Sequence, residues 1–537
     1  MYRNTMRALL LASAMLALPA TAYAQDDKMA EPPADAVSPD DASLQAVPDS
    51  EAAGSDADAK MALLQAQLSA LQTQMDELKK NQAKATPSWK GAPQWTDEAG
   101  WSFKIRGRLQ VDAAYMSKPP RYIQAVTGSN TSSTTSLPPR TLGFNTRVRR
   151  FRIGVEGGMP WGFGYKAEVD YANGSVGFGD VVLSWNKPGS LVTVTLGNQE
   201  SLDGMEQITS SRWVSFIERN QANDAFTNTR RLGVAVGIRN KDNTLRGDVG
   251  LFAAHSIDAS LDNHGWIGAA RVTYTPYVGS GFVHMGLNFQ HREFAKNTNG
   301  AAQNTTSGAP STGRLVRYRA RPFLQTTDVR YVDTQSFAAK GDDIFGAELY
   351  GVFKSFHIGG EAQYVKTRAY KSGVPGNAGD ILTGIDAFAS SNSQFTPNGN
   401  PSFWSGFVEA GYFLTGETRG YKNGLWDRTK VLHPVQDGGI GAWQITGRVD
   451  YLNLNSKKLR NVRKNDFNTG LPTGGTFDLR GGKQIGYLAG VTWIPMDYVR
   501  FLLNYIHTDV TGGPVSRKIS KKGFSTDAIA LRAQIDW

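Results

Sequence analysis

From about Trp101 the chain alternates apolar and polar residues with a period of two. Trp101, Phe103, Ile105, Leu109, Val111, Ala113 and Tyr115 fall on one parity, and Ser102, Lys104, Arg106, Arg108, Gln110 and Asp112 on the other. Successive side chains of an extended strand point to opposite faces, so the pattern predicts a strand with one apolar and one charged face. The same alternation runs through residues 151–156, 165–171 and 346–353. It also ends the chain, where Ile529, Leu531, Ala533, Ile535 and Trp537 oppose Arg532, Gln534 and Asp536. Runs of about ten residues suit tilted, membrane-spanning strands. Residues 158–162, 187–190, 240–244, 276–281 and 495–498 read as tight turns. Residues 117–142, 295–345, 371–402, 416–441 and 511–524 read as long loops rich in Gly, Asn, Ser and Thr. Short turns at one end and long outer loops at the other are the expected asymmetry of an outer-membrane barrel. About 440 residues, at roughly 25–28 per strand and connection, predict an all-β, antiparallel transmembrane β-barrel of about 16 strands over 101–537, wide enough for water.

Upstream the period changes. Met61, Leu64, Leu68, Leu71, Met75 and Leu78 recur at spacings of 3, 4, 3, 4 and 3. This a/d seam predicts a short coiled-coil oligomerisation helix over 61–84. The same spacing also suits one amphipathic helix lying on a surface. Three heptads are marginal by themselves, so a larger interface must supply most of the stability of any oligomer. Residues 25–60 are rich in Ala, Asp, Pro and Ser, lack aromatics and predict a disordered acidic linker; 85–100 form a second linker. Residues 1–24 have the form of a signal peptide: Arg3 and Arg7, an apolar run over 8–18, then Ala22, Tyr23 and Ala24 as a small-x-small cleavage site. No later segment holds eighteen consecutive apolar residues, which argues against a helical membrane protein.

Composition narrows the chemistry. The chain has no cysteine, so it holds neither disulfides nor thiolate metal sites. Its seven histidines show no close metal-ligand spacing, and no G-x-S-x-G, H-E-x-x-H or P-loop occurs. No enzyme activity, cofactor or metal is expected. Charge is placed unevenly. Residues 25–60 carry ten acidic residues against Lys28 and Lys60, whereas residues 87–537 carry 51 Lys and Arg against 36 Asp and Glu. Export argues against nucleic acid as the partner of that basic excess. A basic pore or an anionic lipid surface fits the compartment better. Trp537 stands where outer-membrane barrels usually end on Phe, the terminal aromatic read by the barrel-assembly machinery.

Several stretches resemble one family in order: W-S-F-K-I-R-G-R-L-Q-V-D (101–112), V-R-R-F-R-I-G-V-E (148–156), M-E-Q-I-T-S-S-R-W-V-S-F-I-E-R-N (205–220), F-L-T-G-E-T-R-G-Y-K (413–422) and I-G-A-W-Q-I (440–445). From about residue 100 onward the chain is similar to the phosphate-selective porin O and P family. The resemblance implies a sixteen-stranded barrel, a homotrimer in the outer membrane, and an anion-selective lumen for phosphate, polyphosphate or other small anions. It carries a constriction onto this chain. Arg108 stands at the first-strand arginine, Arg149 and Arg150 at the paired arginines, Asp180 at the ligand-orienting acid, and Arg212 and Arg219 at basic residues around the narrow site. It also implies an arginine ladder on an inward-folded loop, at Arg317, Arg319, Arg321 and Arg330. Gln207 departs from the pattern, because the phosphate-specific member has a lysine there. Losing that ammonium favours a general anion preference over phosphate specificity.

The residues themselves also allow blander readings. Lys104, Arg106 and Arg108 share the polar face of the first strand and look into a barrel's lumen, where arginine rows favour anions. The row from Arg317 to Arg330 could equally be a solvated loop binding lipopolysaccharide. Arg149 and Arg150 are neighbours, so both reach the lumen only across a bulge or at a strand end. Arg150 shares parity with Arg152 and opposes Phe151, Ile153 and Val155. Two other functions compete: a broad or sugar-directed porin, for which Trp213 beside Arg212 is a candidate stacking residue, and a barrel that merely anchors an N-terminal tether.

Overall fold

The computed structural model describes residues 52–85, 87–89, 91–117, 142–174, 176–255, 257, 265–294, 315–369, 394–465, 472–514, 516 and 522–537. The expected signal peptide, most of the acidic linker, and most of the loops at 117–142 and 371–402 lie outside them. The N-terminal unit carries one long helix, α1 (Ala52–Ala85), on which Met61, Leu64, Leu68, Leu71 and Met75 are 52–62% exposed. The side chain of Leu78 is outside the described residues.

The second unit is a barrel. Its strands are β1 (Ser102–Met116), β2 (Phe144–Met159), β3 (Phe163–Asp170), β4 (Gly177–Trp185), β5 (Val192–Gln199), β6 (Arg231–Arg239), β7 (Leu245–Ala253) and β8 (Gly265–Tyr274). They continue as β9 (Gly281–Phe294), β10 (Phe337–Phe353), β11 (Phe356–Ala369), β12 (Ser402–Phe413), β13 (Ala442–Asn453), β14 (Lys483–Met496), β15 (Val499–Thr511) and β16 (Phe524–Asp536). Each pairs antiparallel with its neighbours, and β16 returns to β1, with Ala528 opposite Met116 and Asp536 opposite Arg108. Sixteen strands therefore close without an edge, which leaves no open ladder of backbone donors to satisfy inside lipid.

The two-residue period sets which face each side chain takes. On β16, Ile529, Leu531 and Ile535 face outward and are about half exposed, while Arg532, Gln534 and Asp536 are buried inside. At the closure the Trp537 backbone exchanges two 3.1 Å hydrogen bonds with Gly107. A Cβ at Gly107 would lie 2.1 Å from the Trp537 ring, so this strand crossing requires glycine.

Counting strands corrects two expectations about the loops. β10 already begins at Phe337, so the connection expected over 295–345 is shorter. The segment expected as an outer loop at 416–441 joins β12 to β13 at the end that carries the tight turns. Its length resembles that of an outer loop, but parity puts it on the periplasmic side. It folds back into the barrel as a small hairpin, Tyr421–Lys422 paired with Leu425–Trp426. There the Tyr421 hydroxyl meets Thr275 Oγ1 and His284 Nδ1, both at 2.8 Å, and the Trp426 amide donates to Thr209 Oγ1 at 3.3 Å.

Two further connections enter from the long-loop end. The one between β5 and β6 carries two short helices, α2 (Met205–Ile208) and α3 (Gln221–Ala225), the latter capped by the Asn220 side chain. The one between β9 and β10 carries a hairpin, Arg319–Ala320 paired with Val332–Asp333. Phe216, Phe226, Tyr318, Phe337 and Phe403 are buried where these segments meet the wall. The inward segments thus give the barrel an interior apolar core that reaches β1 and β9–β16, and its members Phe323 and Leu324 also line the cavity described below.

Candidate functional site

The inward loop between β5 and β6, the β9–β10 hairpin and the wall of β2 line a cavity of about 440 Å³. Arg149, Arg150 and Arg152 reach it from β2, Arg219 and Arg230 from the first loop, and Arg319, Arg321 and Arg330 from the hairpin. Its lining carboxylates are three: Glu200, Glu218 and Asp224.

β2 presents two consecutive arginines by breaking its own period. Gln110 pairs with Arg150 and Val111 with Val148, leaving Arg149 as an extra, bulged residue. A bulge turns two neighbours to one side. Val148 and Phe151 remain outside on either flank. Arg149 grips Glu218 through two hydrogen bonds of 2.7 and 3.1 Å. Arg150 donates to the Gln110 amide oxygen at 2.9 Å, and among the described residues no carboxylate lies within ion-pair distance of it. Arg219 is held in the same neutral way, by the carbonyls of Glu206 and Thr209 at 2.8 and 2.7 Å. Two guanidinium groups beside the cavity therefore keep their charge uncompensated by a direct carboxylate.

The hairpin arginines divide. Arg321 and Arg330 converge on Asp224 of α3, at 3.1 and 2.7 Å, which ties the hairpin to the first loop. Arg319 lines the cavity, and burial, reinforced by Arg317 and Arg330, pushes its guanidinium down to about 10, still charged at neutral pH. Arg317 turns instead to Asp333 and lies away from the cavity. Burial opposes the charge on Glu218 and Asp224. Even so, Arg149 and Arg532 hold the first carboxyl below its ordinary range, and Arg330 and Arg321 hold the second there.

Three other expected residues lie outside the cavity lining. Arg108 is buried, donating to both Glu168 oxygens at 3.0–3.1 Å and to Ser211 at 2.6 Å. Asp180 is enclosed by Lys166 and Arg230. Arg212 donates to Asp536 at 3.3 Å and covers the Trp213 ring. Arg428 covers that ring as well, 4.5 Å from its centroid. Gln207 does line the cavity, where it donates to Glu200 at 2.9 Å.

Sequence reasoning missed Arg152, Glu168, Glu200, Glu218, Asp224 and Arg230. Lys166, Glu168 and Asp170 alternate on the polar parity of β3, a signal that could have marked Glu168. Arg152 shares the parity of Arg150 on β2, which could have marked it too; Glu200, Glu218, Asp224 and Arg230 depend on loop paths that no period records.

A family model for phosphate-selective porin O and P matches residues 129–537. A protein from Caulobacter vibrioides is 28% identical over 460 residues, covering 84% of this chain and 77% of its own. Among solved structures, the anion-selective porin from Comamonas acidovorans aligns at 12% identity and a TM-score of 0.44, over 81% of this chain and 100% of that one. The outer membrane channel DcaP of Acinetobacter baumannii aligns at 12% identity and 0.43, over 82% and 99%. With its barrel matched almost throughout, the chain belongs to the phosphate-selective porin O and P family and is a porin channel of the bacterial outer membrane.

Proposed function

We propose that this porin prefers anions and admits small oxyanions without strong specificity for phosphate. The observation that carries the reading is the cavity itself, lined by eight arginines and three carboxylates, with Arg150 and Arg219 bound only to neutral oxygens. A guanidinium already bonded to a carboxylate offers a passing anion little, whereas one held by amide or carbonyl oxygens keeps its full field. Cations meet the same field as a barrier. Movement is passive: an anion exchanges part of its water for arginine donors and leaves because each site is weak and the next is close. Gln207 supports the lower specificity, since it supplies an amide already engaged with Glu200. Trp213 gives a sugar-directed channel little support, because Arg212 and Arg428 cover its ring.

The a/d seam of α1 supports self-association without setting the number of chains; the number three follows from the family, with the barrel wall supplying most of the interface. On this reading residues 1–24 direct export, Trp537 is read by the assembly machinery, and lipopolysaccharide and outer-membrane lipid surround the barrel. The deciding experiment is the zero-current potential of the purified protein in a planar bilayer under a KCl gradient. A value close to the chloride equilibrium potential is expected; one near zero or of cation sign overturns the reading. Deleting residues 25–85 tests the tether alternative, which loses its ground if the truncated protein conducts and functions normally in cells.

A further inference from the structure

The hairpin that brings Arg319, Arg321 and Arg330 into the lumen must be held there against its own freedom and against the mutual repulsion of its cations. Its tip carries Phe323, whose φ is +58°. A bulky side chain in the left-handed region is strained and persists only where surrounding contacts fix it. Phe323 is 4% exposed. Its ring lies over β14 at Gly486, where a Cβ would come within 2.1 Å of the ring. Two residues earlier, the Arg321 carbonyl accepts from the Gln484 side chain at 3.0 Å, on the same strand. Just beyond it, Arg147 and Asn145 of β2 each donate at 2.6 Å, to the carbonyls of Gln325 and Thr326. The hairpin tip therefore touches both β14 and β2.

We propose that Phe323 and Gly486 form a latch that fixes the arginine hairpin across the lumen, making Phe323 a positioning residue for ion selection. The ring fills the space left by the missing Cβ, and the αL backbone turns the chain so that Arg321 faces Asp224 and Leu324 lines the cavity. Where the latch sets selectivity, the inference rests on the anion preference proposed above; its effect on pore width does not.

The test uses full-length protein in planar bilayers. Phe323→Ala and, from the opposite wall, Gly486→Ala should each raise single-channel conductance and add current noise. Each should also lower the chloride-over-potassium permeability ratio by about threefold or more, as the cationic hairpin leaves its fixed position. Phe323→Leu, which keeps apolar volume, should restore most of both properties. The double variant should lose no more than the worse single one, because both remove one contact. Wild-type conductance and noise in both single variants, in barrels that retain their heat-resistant mobility, overturn the latch. A wild-type channel without anion preference overturns the selectivity reading but leaves the conductance comparison intact.

Discussion

The two sides of the lumen hold the same kind of side chain in a different charge balance. Toward β8–β13 every prominent arginine is matched. Arg271 donates to Glu348 at 2.9 and 2.7 Å, Arg292 is fully buried against Asp342, and Arg448 meets both Glu409 and Glu206. Around the cavity near β2, arginines outnumber carboxylates, and Arg150 and Arg219 rest on neutral oxygens. Burial alone does not explain the difference, because Arg150 and Arg271 are each only 6% exposed. The neighbours differ: a buried cation bonded to a carboxylate is spent on structure, whereas Arg150 lines the cavity on a neutral amide oxygen and its charge is left to act on ions. The count of arginines along the chain therefore says little about conduction; their carboxylate neighbours say most.

The largest effect should come from removing a cation on the filled side. Arg292→Ala strands Asp342 and should cost about 3–5 kcal/mol, the usual range for breaking a buried pair. Thermal unfolding in detergent would read that loss, while the permeability ratio of protein that still folds stays near wild type. A changed ratio with unchanged stability would erase the distinction between the two sides. Charge reversal on the cavity side should do the opposite. Arg150→Glu should lower the chloride-over-potassium ratio by about tenfold, with a smaller stability change than Arg292→Ala, since it strands no ion-pair partner. Bilayer potentials and unfolding on the same preparation check both halves.

A smaller, sharpening change is Gln207→Lys. It adds an ammonium beside Glu200 and should tighten phosphate block of chloride current by about three- to tenfold. Unaltered block would remove position 207 from ion selection. The smallest effect concerns pH. Glu218 and Asp224 have depressed folded-state values, so both stay ionised from pH 8 to 5 and contribute no change in the permeability ratio there. Their stabilisation of the inward loops is present above the ordinary carboxylate pKa, and it is lost as pH falls through the depressed folded values. A ratio that steps between pH 6 and 5, and no longer does so in Glu218→Gln, would contradict that assignment.

The strand wall was legible because a barrel strand writes its environment locally. β1 and β16 declare their lipid and lumen faces residue by residue, and strand length with turn spacing leads to about sixteen strands. The adjacency of Arg149 and Arg150 already pointed to a bulge, and the register provides one there. The carboxylates around those arginines were less legible. Glu218, Asp224 and Glu200 come from a loop with no period, and each meets its partners only after that loop folds inward. The segment at 416–441 reads as an outer loop in the sequence because length and composition do not tell which end of a barrel a connection occupies. Only the number of strands before it does.

The sequence by itself determined that this chain alternates into membrane strands, carries a basic excess in its barrel and places arginines on the lumen parity. These follow from side-chain periodicity and composition, which act within a few residues. Tertiary structure decided which arginines are spent on buried pairs, which face the cavity, and how a periplasmic hairpin and two outer loops share the lumen. Those outcomes depend on contacts between residues up to hundreds of positions apart, such as Arg149 with Glu218 and Arg448 with Glu206. Charge compensation is a property of neighbours in space, and the fold chooses the neighbours.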